Sequence, residues 1–409
     1  MDTVDLHLIG DLFRDDEISE IMVNGEDVYV EKNGRIHNLK NKTAGCDDAG
    51  NSDTGPLVSD ILKLHGKRIP DDTLFLDTRL PDGSRVNCVF PPVSLCGAVI
   101  TIRRFSKKAA SPQDLVLSGT LDKNILEFLK ICVEYRKNIV ISGGTGSGKT
   151  TLLNVVSSFI PSGERIITIE DTAELQLAQG HVVRLEAGAG AVHNGRNVTI
   201  RQLVVNSLRM RPDRIIVGEC RSAEALDMLQ AMNTGHDGSL TTVHANSPRD
   251  ALRRIEVMTM MSGIELPVRA IREQISSAID VIVQVARFPD GSRKIVEVCS
   301  VAGMEGDVIL MSPVFKFKQT NVLPDGRIGG RFIPTGNVPY FIESIRAGGI
   351  NVAMDIFRSE TAQVTAEYVL LVSVLSVLGF LALKLYVIFL TGHLSNITKF
   401  RTGEAAFFP

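Results

Sequence analysis

Tryptophan is absent from the 409 residues, tyrosine occurs five times, and aromatic residues make up only 5%. The net charge is a modest −3. No basic stripe interleaved with stacking rings can be assembled from this chain, which argues against a nucleic-acid translocase. Cysteine is also scarce. Cys46, Cys88, Cys96, Cys132, Cys220 and Cys299 are scattered and form no C-x-x-C pair, which argues against a structural zinc site and for a reducing compartment. The start, Met1-Asp-Thr-Val-Asp-Leu-His7, has no basic stretch followed by an apolar run. No secretory leader is expected, and the body of the protein is expected in the cytoplasm. What remains, 44% hydrophobic and 22% charged, is the composition of a globular protein with room for two or three domains.

The strongest local signal is Ile139-Val-Ile-Ser142 followed by Gly143, Gly144, Thr145, Gly146, Ser147, Gly148, Lys149, Thr150 and Thr151. An apolar strand, the G-x-x-x-x-G-K-T pattern and an apolar helix start are the context of a phosphate-binding P-loop. The glycines let successive amides curl round a phosphate. Lys149 reaches the β/γ-phosphates, Thr150 offers a hydroxyl to Mg²⁺, and the helix N-terminus favours the negative charge.

Around this loop the pattern alternates. Helices are expected near 122–135, 149–158, 199–210, 222–232, 248–260 and 267–277, with strands near 138–142, 165–169, 182–185, 214–218 and 239–243. That alternation predicts a parallel sheet covered by helices. A hairpin of Val281–Ala286 and Lys294–Val298 follows, turned by Pro289-Asp-Gly-Ser-Arg293. Before it, residues 1–105 form a smaller α+β domain. There Asn24-Gly25 and Asn33-Gly34 turn a hairpin through Val28–Glu31, 40–56 is a polar loop, and a helix covers Leu57–Leu64. Residues 106–118 are a linker, 119–357 the P-loop domain, and 358–409 a tail of different character.

A P-loop needs carboxylates for metal and water. Ile215-Ile-Val217-Gly218-Glu219 is an apolar strand ending in one, placed to polarise the attacking water or to hold Mg²⁺ through water. Ile167-Thr-Ile169-Glu170-Asp171 ends in two more, which add negative charge at the metal or cap the following turn. In Gly235-His236-Asp-Gly-Ser-Leu-Thr-Thr-Val-His244-Ala-Asn246, two histidines flank a short strand. His244 at its end is placed to donate to a γ-phosphate.

These four stretches, in this order, resemble the Walker A, Asp box, Walker B and His box of the type II/type IV secretion ATPase superfamily. Within it, Val23-Asn24-Gly25, Arg79-Leu-Pro-Asp-Gly-Ser-Arg85-Val-Asn87 and Ile102-Arg103-Arg104-Phe105 resemble the CpaF-type ATPases of Tad (Flp) pilus assembly. The resemblance implies a RecA-like fold and a homo-hexamer. ATP and Mg²⁺ would lie between the two domains. Glu219 would be the catalytic carboxylate, Glu170 its helper at the metal beside Asp171, and His244 and His236 would face the nucleotide. Among arginines, Arg79, Arg85, Arg103, Arg209 and Arg211 are candidates to complete the site. Expected partners are inner-membrane platform proteins and, indirectly, pilin subunits, without nucleic acid.

From Val369 to Leu390 the tail is apolar apart from Ser373, Ser376 and Lys384. A helix of that length is about 33 Å long, enough to cross a bilayer. A partner-facing or buried helix is the alternative. Glu367-Tyr368 at its head resembles the start of a Flp-type pilin, so a fusion of ATPase and pilin-like segments is expected. Rival readings are a type IV secretion or pilus-retraction motor, and a membrane-anchored scaffold with a regulatory nucleotide site.

Overall fold

Two sheets carry most of the chain. The computed structural model describes residues 9–25, 27–32, 34–39, 55–65, 73–105, 110–193, 196–324, 326–358 and 372–391.

The first sheet is built from β1 (Ile18–Asn24), β2 (Asp27–Lys32), β3 (Arg35–Asn38), β4 (Phe75–Arg79), β5 (Arg85–Val89) and β6 (Val99–Arg103), with helix α1 (Gly55–His65) between β3 and β4. Its order is β3-β2-β1-β6-β5-β4, antiparallel throughout. Alternate residues Ile21, Val23, Ile100 and Ile102 point to one face, where they pack with Leu57 and Ile61 of α1. The strands on either side of the Asn24-Gly25 and Asn33-Gly34 positions pair as a meander, Val23 with Val28 and Lys32 with Arg35, while Glu26 and Asn33 lie outside the described residues. The expected loop at 40–56 lies largely outside the described residues, but Gly55 and Pro56 already belong to α1.

The linker expectation needs correcting. Residues 106–109 are outside the described set, yet Pro112–Leu117 is a helix, α2. Ser111 caps it reciprocally with Asp114, and Pro112 occupies the first turn, a start signal that a linker reading overlooks.

The second domain runs α3 (Lys123–Glu134), β7 (Ile139–Gly143), α4 (Lys149–Ser157), β8 (Ile166–Glu170), β9 (Val182–Glu186), the hairpin β10 (Gly188–His193) and β11 (Arg196–Val198), and α5 (Ile200–Ser207). Next come β12 (Arg214–Cys220), α6 (Glu224–Asn233), β13 (Leu240–Val243), α7 (Pro248–Met260) and α8 (Val268–Ala278). The chain then closes the sheet with β14 (Val281–Arg287), β15 (Arg293–Glu305), β16 (Val308–Val322) and β17 (Ile328–Pro334), followed by α9 (Phe341–Ala347). The strand order is β17-β16-β15-β14-β7-β13-β12-β8-β9. From β14 to β9 every pair is parallel, and from β14 to β17 every pair is antiparallel.

Because the parallel strands are buried on both faces, they read as unbroken apolar runs. Ile139 and Ile141 point toward α3 and α4, while Val140 points toward α6, α7 and α8. Phe128 of α3 stacks near Phe315, Phe341 and Phe357, with centroids at 5.5, 6.4 and 5.8 Å. Such pairs contribute about 0.5–1.5 kcal/mol each beyond area burial, and they tie the antiparallel extension to the parallel core. The expected hairpin forms, but β15 is far longer than Lys294–Val298, and β16 and β17 extend it beyond anything the sequence pattern predicts. Val372–Thr391 forms a further apolar helix, α10. Residues 359–371, with the pilin-like Glu367-Tyr368, lie outside the described set.

Candidate functional site

In a parallel sheet all carboxyl ends lie on one edge, where ligands bind. The register aligns Ser142 of β7 with Val243 of β13, Val243 with Cys220 of β12, and Val217 of β12 with Ile169 of β8. Four motifs far apart in sequence are thereby brought side by side: the loop after β7, His244 after β13, Glu219 in β12, and Glu170 with Asp171 at the tip of β8.

The loop between β7 and α4 is shaped by its glycines. Gly146 and Gly148 have φ of 67° and 93°, and Gly148 caps α4 in the left-handed region, which disfavours side chains. A Cβ on Gly143 would sit 2.5 Å from both Ser147 Oγ and the Val285 carbonyl oxygen. Lys149 Nζ donates to the carbonyls of Gly143 and Gly144, each at 3.0 Å. Arg293 Nε donates to the Gly146 carbonyl at 3.0 Å. With loop carbonyls held by cations and the first amides of α4 lacking intrahelical partners, the cradle fits an anion. Thr150 stands in that first turn, partly buried; Thr145 and Thr151 are exposed.

Electrostatics point the same way. Burial pushes the Lys149 ammonium below its ordinary value, Glu219 opposes this, and Arg103, Arg221 and Arg254 add to it. A negatively charged ligand would relieve that crowding. Burial, then Lys149, push the His244 imidazole below its ordinary value, which favours the neutral form. Glu170 is buried at 3% exposure. Its Oε1 accepts from the amides of Glu174 and Leu175, both at 2.9 Å, while Oε2 has no hydrogen-bond partner among the described residues. Burial raises its carboxyl. An orphaned carboxylate oxygen at a strand tip fits a metal-bound water. Glu219 and Asp171 are instead engaged by one guanidinium, that of Arg221.

Other expected residues lie elsewhere. His236 precedes β13, so it sits at the opposite edge of the sheet, with four strand residues, about 13 Å, between it and the P-loop edge. Its carbonyl accepts from Ser239 Oγ at 2.8 Å. Arg209 and Arg211 lie at that same far edge, between α5 and the start of β12, and both are exposed. Arg79 and Arg85 pair with carboxylates of the larger domain, Glu186 at 2.6 Å and Glu174 at 3.7 Å. Arg103 is exposed at the end of β6, and its positive charge bears on Lys149 and Arg293.

Sequence reasoning missed a set of cations. Arg287, at the end of β14, pairs with Glu31 at 2.6 Å and with the Gly34 carbonyl of the N-terminal sheet. In the sequence Arg293 is simply the last residue of the turn Pro289–Arg293. Arg221 adjoins Glu219 in the same motif, the one available signal.

A glycine-capped helix, a lysine folded over its own loop, and acidic tips on neighbouring parallel strands define a P-loop nucleotide-binding protein of RecA-like architecture. The chain belongs to the type II/IV secretion system protein family, whose model matches residues 3–309. An uncharacterized protein of Methanocaldococcus jannaschii is 44% identical over 235 residues, covering 56% of this chain and 32% of that one. The chain thus spans about a third of that relative's length. Conjugal transfer protein TrbB of Rhizobium radiobacter is 38% identical over 251 residues, 60% of this chain and 74% of TrbB. Type IV secretion system protein PtlH of Bordetella pertussis is 34% identical over 317 residues, 70% and 91% of the two chains. Among solved structures, the ATPase DotB of Yersinia pseudotuberculosis superposes with a TM-score of 0.53 at 19% identity, covering 72% of this chain and 78% of DotB. The pilus retraction motor PilT with bound ADP gives 0.51 at 22%, covering 72% and 82%. These two likenesses speak to the fold.

Proposed function

We propose that this chain is a Mg²⁺-dependent ATP hydrolase that works as a homo-hexamer and powers Tad/Flp pilus assembly at the inner membrane. The observation that carries the reading is the single sheet edge on which the glycine cradle, Lys149, Glu170, Glu219 and His244 converge. Lys149 and the amides from Gly144 to Thr151 bind and orient the phosphates. Thr150, Glu170, Asp171 and Glu219 would hold Mg²⁺, partly through water. When bound, the metal supplies charge neutralisation at the β- and γ-phosphates. Glu219 takes the proton of the attacking water, Glu170 would hold a water of the metal with its free oxygen, and neutral His244 donates to the terminal phosphate. Arg103 reaches the same edge from the N-terminal domain, so nucleotide would tie residues 1–105 to 119–357 across the segment 106–118, and hydrolysis would release the tie.

In this reading the body is cytoplasmic, the platform proteins and pilin are its partners, and α10 anchors it to the membrane as part of a 358–409 tail. The name of PtlH favours a second reading within the class, a type IV secretion ATPase. The deciding measurement for the enzyme is phosphate release from ATP and Mg²⁺ by the purified chain, alongside its mass in solution. A monomer that neither binds nor cleaves ATP would remove the motor altogether.

A further inference from the structure

Arg221 follows β12 with its backbone fixed by α6 and its side chain more than half exposed. Its amide and that of Ser222 donate to Glu224 Oε1, at 2.6 and 2.8 Å, and Glu224 is buried in the first turn of α6. The guanidinium turns back over the strand tip. Nε and Nη2 both donate to Glu219 Oε2, at 2.9 and 2.7 Å, and Nη1 donates to Asp171 Oδ2 at 3.1 Å. One cation therefore engages two carboxylates that the proposed chemistry needs for water and metal. The side chain is 56% exposed, in the regime where an ion pair adds little net stability. It also lies close to the cradle, because its charge is felt by both Lys149 and His244.

Two guanidinium N–H groups occupy Glu219 Oε2 alone, and the cation beside it neutralises the whole carboxylate, which lowers its appetite for a proton from water. A terminal phosphate carries more charge than either carboxylate, and its oxygens match the guanidinium fork. We propose that Arg221 is a displaceable latch: without nucleotide it neutralises Glu219 and Asp171, and on nucleotide binding its fork moves to the terminal phosphate, freeing both carboxylates. The inference rests on the ATPase reading of Glu219 and names how that residue is kept idle.

The full chain carrying Arg221→Gln tests it, with Arg221→Lys as a second variant that keeps the charge but not the two-armed bridge. Mn²⁺ titration by electron paramagnetic resonance, without nucleotide, should show at least about fivefold tighter binding in Arg221→Gln, because two carboxylates lose their resident cation. Binding of a fluorescent ATP analogue should weaken at least about fivefold and that of its ADP counterpart less than twofold. Unchanged Mn²⁺ affinity, or equal losses for both nucleotides, overturns the latch. The fold is checked independently by the thermal unfolding midpoint, and if Arg221→Gln does not reach the wild-type midpoint, Arg221→Lys decides by the same two comparisons. Wild-type protein that ignores ATP would instead sink the ATPase reading, a distinguishable result.

Discussion

The Arg79 guanidinium at the end of β4 and the Glu186 carboxylate at the tip of β9 form a two-point pair, at 2.6 and 3.2 Å, across the junction of the two sheets. Arg85 with Glu174 and Arg287 with Glu31 repeat the theme. The N-terminal sheet is thereby held over the edge that carries the P-loop. An arginine already paired with a carboxylate is poorly placed to serve a phosphate.

That distinction separates two candidate arginines. Among the described residues Arg103 has no hydrogen-bond or ion-pair partner, yet its charge reaches Lys149. Arg103→Ala should lower turnover at least about tenfold more than Arg79→Ala, since a guanidinium on the transferring phosphoryl group is worth large rate factors. Arg79→Ala removes a half-exposed pair and should cost stability at most about 1 kcal/mol. Steady-state phosphate release and urea unfolding check the two halves, and equal rate losses would contradict the assignment.

Glu219→Gln should lower kcat about 10²–10⁴-fold, the span usual for a lost general base, while ATP still binds. Lys149→Ala should fail earlier, at binding, because its ammonium holds the loop carbonyls and faces the phosphates. Equilibrium binding and single-turnover chemistry distinguish these two failures. Wild-type turnover in Glu219→Gln would strip that residue of its role.

Glu170 gives a pH-dependent prediction. Burial raises its carboxyl above the ordinary value of 4.5, so the fold disfavours the ionised form. The destabilisation is absent below 4.5, grows as pH rises through the folded value, and is complete above it. Glu170→Gln should therefore unfold at a higher temperature than wild type at pH 8, with the gap closing toward pH 4, and should lose activity. A variant less stable than wild type at pH 8 would refute the sign.

Much of this was legible in the sequence, and the exceptions have physical causes. The strands β7, β8, β12 and β13 are buried on both faces, so each shows as an apolar run ending where chemistry begins. The strands β16 and β17 were not legible. Residues such as Lys316, Lys318, Gln319 and Asn321 put a polar, largely exposed stretch into a strand, and its pairing with β15 supplies an order that its composition does not. The cations around the cradle were hidden for another reason. Arg287 and Arg293 come from a hairpin long after the last motif, and only the fold brings them to Gly146. His236 stands in one motif with His244, yet a strand separates two neighbours in sequence into opposite edges.

The glycines of the cradle are not equivalent. A Cβ on Gly143 would meet Ser147 Oγ and the Val285 carbonyl oxygen at 2.5 Å, and the latter is main chain of the neighbouring β14. One on Gly144 would meet nothing within 4 Å. Gly143→Ala should cost about 1–3 kcal/mol by overpacking and displace the loop, whereas Gly144→Ala should stay within about 0.5 kcal/mol of wild type. Denaturant unfolding of the two variants, read beside ATP affinity, tests the contrast.

The last prediction concerns α10. Val372–Thr391 is 20 residues long, about 30 Å as a helix, the thickness of a bilayer's hydrocarbon core. Its apolar side chains are open to the surroundings, with Phe380 at 69% and Leu385 at 65% exposure. A contiguous apolar surface of that kind is costly in water and marks a membrane or protein contact. No residue of α10 belongs to the clusters that form the cores of the two sheets, so removing everything after residue 358 should leave them intact. The shortened chain should remain in the supernatant after flotation with phospholipid vesicles and retain ATP turnover, while the full chain should float with the vesicles and resist extraction by high salt. Full-length protein that stays in solution without lipid or detergent would rule out the anchor and leave α10 as a surface for another protein.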